Sequence, residues 1–150
     1  MKKFLRGIGL AIGASFMLMS CGTQKSLDIS QEEAQVFKQQ QADTVEIVNP
    51  ESNYEIIIIE PGFNYWLRTI ARPRGYYSQN YLETRNRLMV IEWNNRVMWP
   101  NRYDPLLYEL QINYDPNIDY GYEVNYQLYN YFVYFQRKYN QRLGPFIPRI

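Results

Sequence analysis

The sequence predicts an α+β fold: a small antiparallel sheet of two or three strands packed with about three helices, following a flexible N-terminal tether. Three observations predict it. Two β-branched runs, Thr44-Val45-Glu46-Ile47-Val48 and Tyr54 to Glu60, flank the turn cluster Asn49-Pro50-Glu51-Ser52-Asn53. Two later segments carry apolar residues at helical spacing. Residues 22–43 are polar, include Gln39-Gln40-Gln41, and lack a sustained apolar stripe, although Ala34, Val36 and Phe37 interrupt the polarity and allow some helix around 32–40.

The chain opens on Lys2, Lys3 and Arg6, followed by an uncharged run of apolar and small residues from Gly7 to Met19. A bilayer-spanning helix needs roughly 20 apolar residues, so this run reads as a cleaved signal. It ends in Leu18-Met19-Ser20-Cys21, which resembles the lipobox of bacterial lipoproteins. An apolar residue stands three before the cysteine and a small one just before it. The implied chemistry is a thioether-linked diacylglyceryl group on Cys21, cleavage at Ser20–Cys21, and acylation of the new amino group. One chain binds a membrane marginally, whereas two or more hold it stably. The alternative is an ordinary signal followed by a lone free thiol, an unusual and reactive feature in an exported protein. The resulting layout is a signal peptide at 1–20, a tether at 21–43 and a Tyr-rich globular domain at 44–150.

Within that domain, Thr44 to Val48 alternates like a half-buried strand. Tyr54 to Glu60 is apolar on both faces at its centre, as in a covered strand. Pro61-Gly62 ends it. Phe63 to Ile70 predicts two helical turns, and Ala71-Arg72-Pro73-Arg74-Gly75 breaks them. Ser78 caps a helix over 79–98, with Leu82, Met89, Trp93 and Val97 on one side. Tyr108 to Tyr114 alternates enough for a third strand, partnering 54–60. Asp115 to Gly121 is a loop, and the last helix runs over 122–142, ended by Gly144-Pro145. Its polar stripe of Glu123, Gln127, Asn130, Arg137 and Gln141 is interrupted by Tyr134. Such side chains are expensive in hydrocarbon, so the helix reads as core and not as a membrane span.

Composition excludes several function classes. The chain has no histidine, and its one cysteine is Cys21. The usual zinc, copper, haem and iron–sulfur ligand sets are therefore missing, as are Ser-His-Asp and Cys-His catalysis. No cofactor is implied. Loss of Lys2, Lys3 and Arg6 with the signal takes three of the 16 basic residues, leaving 13 against 15 acidic ones. A formal charge of about −2 does not fit a nucleic-acid binder. The tether side is acidic and the domain side basic. All 15 tyrosines lie after residue 53, each an apolar ring with a polar tip.

The strings YEIIIIEPGFNYWL, ARPRGYYSQNYLETRN, VIEWNNRV and DYGYEVNYQLYNYFVYFQRKYNQRLG resemble an uncharacterised family of small lipoproteins from Bacteroidota, a domain of unknown function. The resemblance implies lipidation and no activity. Surface-exported members of that group often carry an acidic run after the cysteine. Gly22-Thr23-Gln24-Lys25-Ser26 has none, which implies the periplasmic side.

Three constellations are candidates for chemistry. Arg68, Arg72 and Arg74 flank Pro73 and lead into Tyr76-Tyr77. Guanidinium forks recognise phosphate and carboxylate, and aromatic faces suit sugars, so the loop reads as an anion-binding site. The plainer alternative pairs these arginines with the domain's own acids. Asp115, Asn117, Asp119 and Glu123 place oxygen ligands at alternate positions, as calcium loops do. Tyr120 and Tyr126 stand where an EF-hand wants glycine and glutamate. The alternative there is a loop of Asx turns, with Asp119 capping the last helix. Finally, Glu60, Glu92 and Glu109 are the available carboxylates for a hydrolase, which needs two within roughly 5–9.5 Å. No spacing motif supports that role, and no catalytic residue is assigned. The expectation is a membrane-anchored envelope lipoprotein, periplasm-facing, held by acyl chains such as palmitate on Cys21. Its partner would be an envelope protein or an anionic glycan or lipid.

Overall fold

The computed structural model describes residues 27–38, 44–49, 54–147 and 149–150, the strand segments among them by their backbone alone. The signal at 1–20, Cys21 and the turn at 50–53 lie outside the described residues. The elements are α1 (Gln31–Phe37), β1 (Thr44–Asn49), β2 (Tyr54–Ile59), α2 (Phe63–Thr69), α3 (Gln79–Val97) and α4 (Gly121–Lys138).

The expected sheet packed with helices is corrected: the fold is mostly helical. β1 and β2 pair antiparallel, Thr44 opposite Ile59 and Asn49 opposite Tyr54. This ribbon has two strands among the described residues, and the described core lies on the four helices and their loops. The third strand, expected over 108–114, does not form. Its backbone groups are bonded by α3 side chains instead of a neighbouring strand. Trp93 Nε1 donates to the Leu110 carbonyl (2.9 Å), and Asn94 both donates to the Ile112 carbonyl (2.9 Å) and accepts from the Ile112 N–H (2.8 Å). A segment whose donors and acceptors are satisfied this way has no need of a ladder.

Helix α4 is the axis. It is buried on nearly every side, including Tyr134, Asn130 and Arg137 of the polar stripe. α3 covers one flank: Trp93 packs against Phe132 and Phe135, and Asn86 donates to the Asn125 carbonyl (2.9 Å). α1 and α2 cover the other, where Phe37, Phe63 and Trp66 meet the Tyr134 ring edge-on at 5.3–5.5 Å. Each fully buried aromatic contributes about 1.5–3 kcal/mol of hydrophobic stabilisation. Tyr134 interrupts the polar stripe because it is the hub on which those two short helices dock.

α4 also ends earlier than expected, at Lys138. Asn140 takes the left-handed conformation (φ 48°), and the Gln141 N–H reaches back to the Gln136 carbonyl (2.9 Å). That is a Schellman stop with asparagine in the usual glycine position. Within the stretch read as a spacer, α1 is a docked helix. Ser30 Oγ accepts from the Glu33 N–H (3.1 Å), and Glu33 and Val36 are buried. The Glu33 carboxylate accepts two bonds from Arg137, Nη2 to Oε2 being 2.6 Å, and a third from Trp66 Nε1 (3.1 Å). Arg137 Nη2 also donates to the Asp28 carbonyl (2.7 Å). Three helices thus meet at one desolvated ion pair.

Candidate functional site

The arginine loop follows α2, and α4 decides its geometry. Glu123, in the first turn of α4, takes both arms of the Arg74 fork at 2.8 and 2.5 Å. The same guanidinium lies 4.6 Å over the Tyr126 ring. The Glu123 hydrogen bond raises the Arg74 pKa, and reciprocally the Arg74 bond holds the Glu123 carboxyl below its ordinary value. Arg72 donates to the Ile150 carbonyl (2.9 Å) and sits 4.9 Å over Tyr76. Arg68 is exposed on α2. The three cations therefore do not converge on one open pocket. Tyr76 is exposed and Tyr77 half-buried, with burial raising the Tyr77 hydroxyl pKa.

The Asp115–Glu123 segment is built of Asx turns. Asp115 Oδ1 accepts from the backbone N–H and side-chain amide of Asn117, both at 2.8 Å. Asp119 Oδ1 accepts from the Gly121 N–H (2.8 Å), an Asx turn leading into α4, whose N-cap residue is Tyr120 and not Asp119. Glu123 is turned to Arg74 and Gln127. Among the described residues, no three Asp or Glu side chains gather where they could hold a metal ion.

The three glutamates have separate surroundings. Glu60 is buried and accepts from Lys138 Nζ (2.6 Å) and the Tyr139 hydroxyl (2.9 Å). Glu92 pairs with Arg96 one helical turn away (2.8 Å). Glu109 is exposed.

Two surface cavities are large enough for a small molecule. One, of about 460 Å³, lies between α3 and the 114–119 loop, where Glu83, Asp119 and Arg87 mix opposite charges. The other, of about 440 Å³, lies between α3, α4 and the segment after α4. Its arginines are Arg85, Arg142 and Arg149, and no Asp or Glu lines it. Tyr77 and Tyr81 stack at 4.5 Å on its wall, with Tyr129 edge-on to both. Burial, then the neighbouring tyrosines, pushes the Tyr129 hydroxyl pKa up. Of the sequence-predicted site residues only Tyr77 reaches this groove. The missed arginines left a faint signal: Tyr81 and Arg85 stand four apart within α3, which places them on one helical face. Arg142 and Phe146 lie in irregular chain after α4, and their approach to α3 has no local code.

The fold is thus a mostly helical body carrying a basic, aromatic-walled groove. Residues 10–146 match the family of unknown function DUF6146, and the chain belongs to that family. No curated protein matches it, and neither does any solved structure. Among the described residues no helix is long and apolar enough to cross a membrane.

Proposed function

We propose that this is a lipid-anchored cell-envelope protein, acylated on Cys21 and facing the periplasm, whose role is binding or scaffolding and not catalysis. The observation that supports the non-enzymatic half is the separation of the three glutamates read as hydrolase candidates: Glu60 faces Lys138 (2.6 Å), Glu92 faces Arg96 (2.8 Å), and Glu109 is exposed. A hydrolase of the carboxylate type needs two such groups opposed across a cleft, one of them held protonated. The anchoring half is supported by the lone thiol behind the apolar run.

Docking of α1 adds a spatial consequence. The Asp28 carbonyl is already bonded to the body, seven residues after Cys21. At roughly 3.6 Å per residue, seven residues reach about 25 Å at most. An acylated Cys21 would therefore keep the body close against the bilayer, where envelope partners and head groups are concentrated.

Fractionation and intact-mass analysis test the anchor. The processed chain should begin at Cys21 and carry diacylglyceryl and acyl groups, and Cys21→Ser should move the protein from membrane to soluble fractions. An unmodified thiol, or a different terminus, overturns it. A second reading, binding of an anionic glycan or lipid head group, is favoured by the acid-free groove beside the predicted arginine loop.

A further inference from the structure

We infer that the groove between α3, α4 and residues 142–147, with Arg149 at its edge, is a binding site for a small organic oxyanion, a phosphate or carboxylate carried on a ring-sized group. The inference rests on the binding role proposed above, but not on acylation.

Arg85 is the centre of the argument. Its guanidinium carbon lies 3.3 Å over the Phe146 ring and 4.9 Å over the Tyr81 ring. The cation is therefore held between helix and tail by two aromatic neighbours. Hydrogen bonds to a guanidinium lie in its plane, so the stacking leaves the N–H edge available and fixes its direction. Among the described residues that edge meets no carboxylate. The two buried helical guanidiniums do reach an acid: Arg96 meets Glu92 and Arg137 meets Glu33. Arg85 is held in place and has none.

The rest of the groove reinforces this. Arg142 Nε and Nη2 donate to the Gly144 and Pro145 carbonyls at 3.2 and 2.9 Å, which orients a second guanidinium at the rim. Arg149 is a third cation and is exposed. Three positive charges with no negative one raise the local anion concentration despite a chain that is close to neutral. Met89, Val133 and Leu143 supply an apolar floor. A bare inorganic ion would leave that floor and the tyrosine wall unused. A cavity of about 440 Å³ accommodates a ring and its charged substituent.

Titration calorimetry on the full chain, with phenyl phosphate, benzoate, inorganic phosphate and phenol as probes, tests the site. One or both aryl anions should bind, more tightly than inorganic phosphate or phenol, and more weakly as salt is raised. Whichever aryl anion binds better tells a phosphate-bearing ligand from a carboxylate-bearing one. Arg85→Lys keeps the charge but loses the planar fork, and should weaken binding about tenfold. Phe146→Ala, at a partly exposed position, removes the nearer ring contact of Arg85 and should weaken it several-fold without depending on how Arg85 variants fold. Arg102→Ala, at an exposed position outside the groove, should leave binding unchanged. The site is overturned if neither aryl anion binds, if phenol or inorganic phosphate binds as well as they do, or if affinity survives both groove substitutions.

Discussion

Two Arg–Glu pairs fasten α4 to the chain that precedes it, one at each end, and they share the same two-armed geometry. Arg74 and Glu123 meet at the first turn with side chains 54 % and 48 % exposed. Glu33 and Arg137 meet at the last turn with side chains 0 % and 5 % exposed. In water the attraction within a pair is offset by hydration and side-chain entropy. Out of water both ions have lost their hydration, and each depends on the other. The first pair therefore orients a loop, while the second decides whether three helices stay together.

The largest effect is expected at the buried end. Glu33→Ala leaves Arg137 desolvated without its carboxylate and the Trp66 N–H without its acceptor. Urea denaturation should show a loss of about 3–5 kcal/mol. The double change Glu33→Leu with Arg137→Met removes both charges at once and should recover most of that loss, since a packed apolar pair is often no worse than a buried ionic one. A single-variant cost below about 1 kcal/mol would place the pair with surface ion pairs and dissolve the contrast.

The two ends also differ in how well the sequence announces them. Ser78, the break at 71–75 and the 79–98 and 122–142 periodicities are local signals, and α2, α3 and the start of α4 follow them. The Glu33 clasp joins residues 104 positions apart. Ala34, Val36 and Phe37, interrupting the polarity around 32–40, are the local mark of α1, and nothing local says that Glu33 turns inward. Residues 108–114 look like a strand because alternation is a strand's signature. Their backbone partners are Trp93 and Asn94 side chains, which no period-2 pattern encodes. Arg74 was legible as a cation in a turn but not as Glu123's partner, and Arg85 was not singled out, because its Phe146 neighbour is 61 positions away.

An intermediate effect tests the docking of α1 by sterics instead of charge. Gly62 has φ 83°, and a Cβ there would lie 2.9 Å from the Val36 carbonyl and 3.1 Å from the Tyr134 hydroxyl. Gly62→Ala should cost more than about 1 kcal/mol from the backbone alone, with α1 displaced in addition. Hydrogen exchange should report faster opening at Ala34 to Phe37 than in α3. Gly75 has nearly the same φ, 84°, with nothing within 4 Å of its Cβ position. Gly75→Ala should show the strain without the faster exchange in α1. Equal exchange in the two variants would mean that contact with Val36 is not what seats the helix.

The smallest effect is expected at the exposed end. Arg74→Ala should lower stability by at most about 1 kcal/mol, because both side chains are half in water. Its pH dependence separates charge from packing. The Arg74 hydrogen bond holds the folded-state Glu123 carboxyl below its ordinary value of 4.5. A depressed acid contributes stability that is complete above the unfolded-state value and is lost as pH falls through the folded one. The gap between wild type and Arg74→Ala, measured by thermal melting, should therefore hold steady from neutral pH down to about 4.5 and close below it. A gap that stays constant on acidification would assign the whole contribution to the guanidinium's stacking on Tyr126, 4.6 Å away, and leave Glu123 as a passive neighbour.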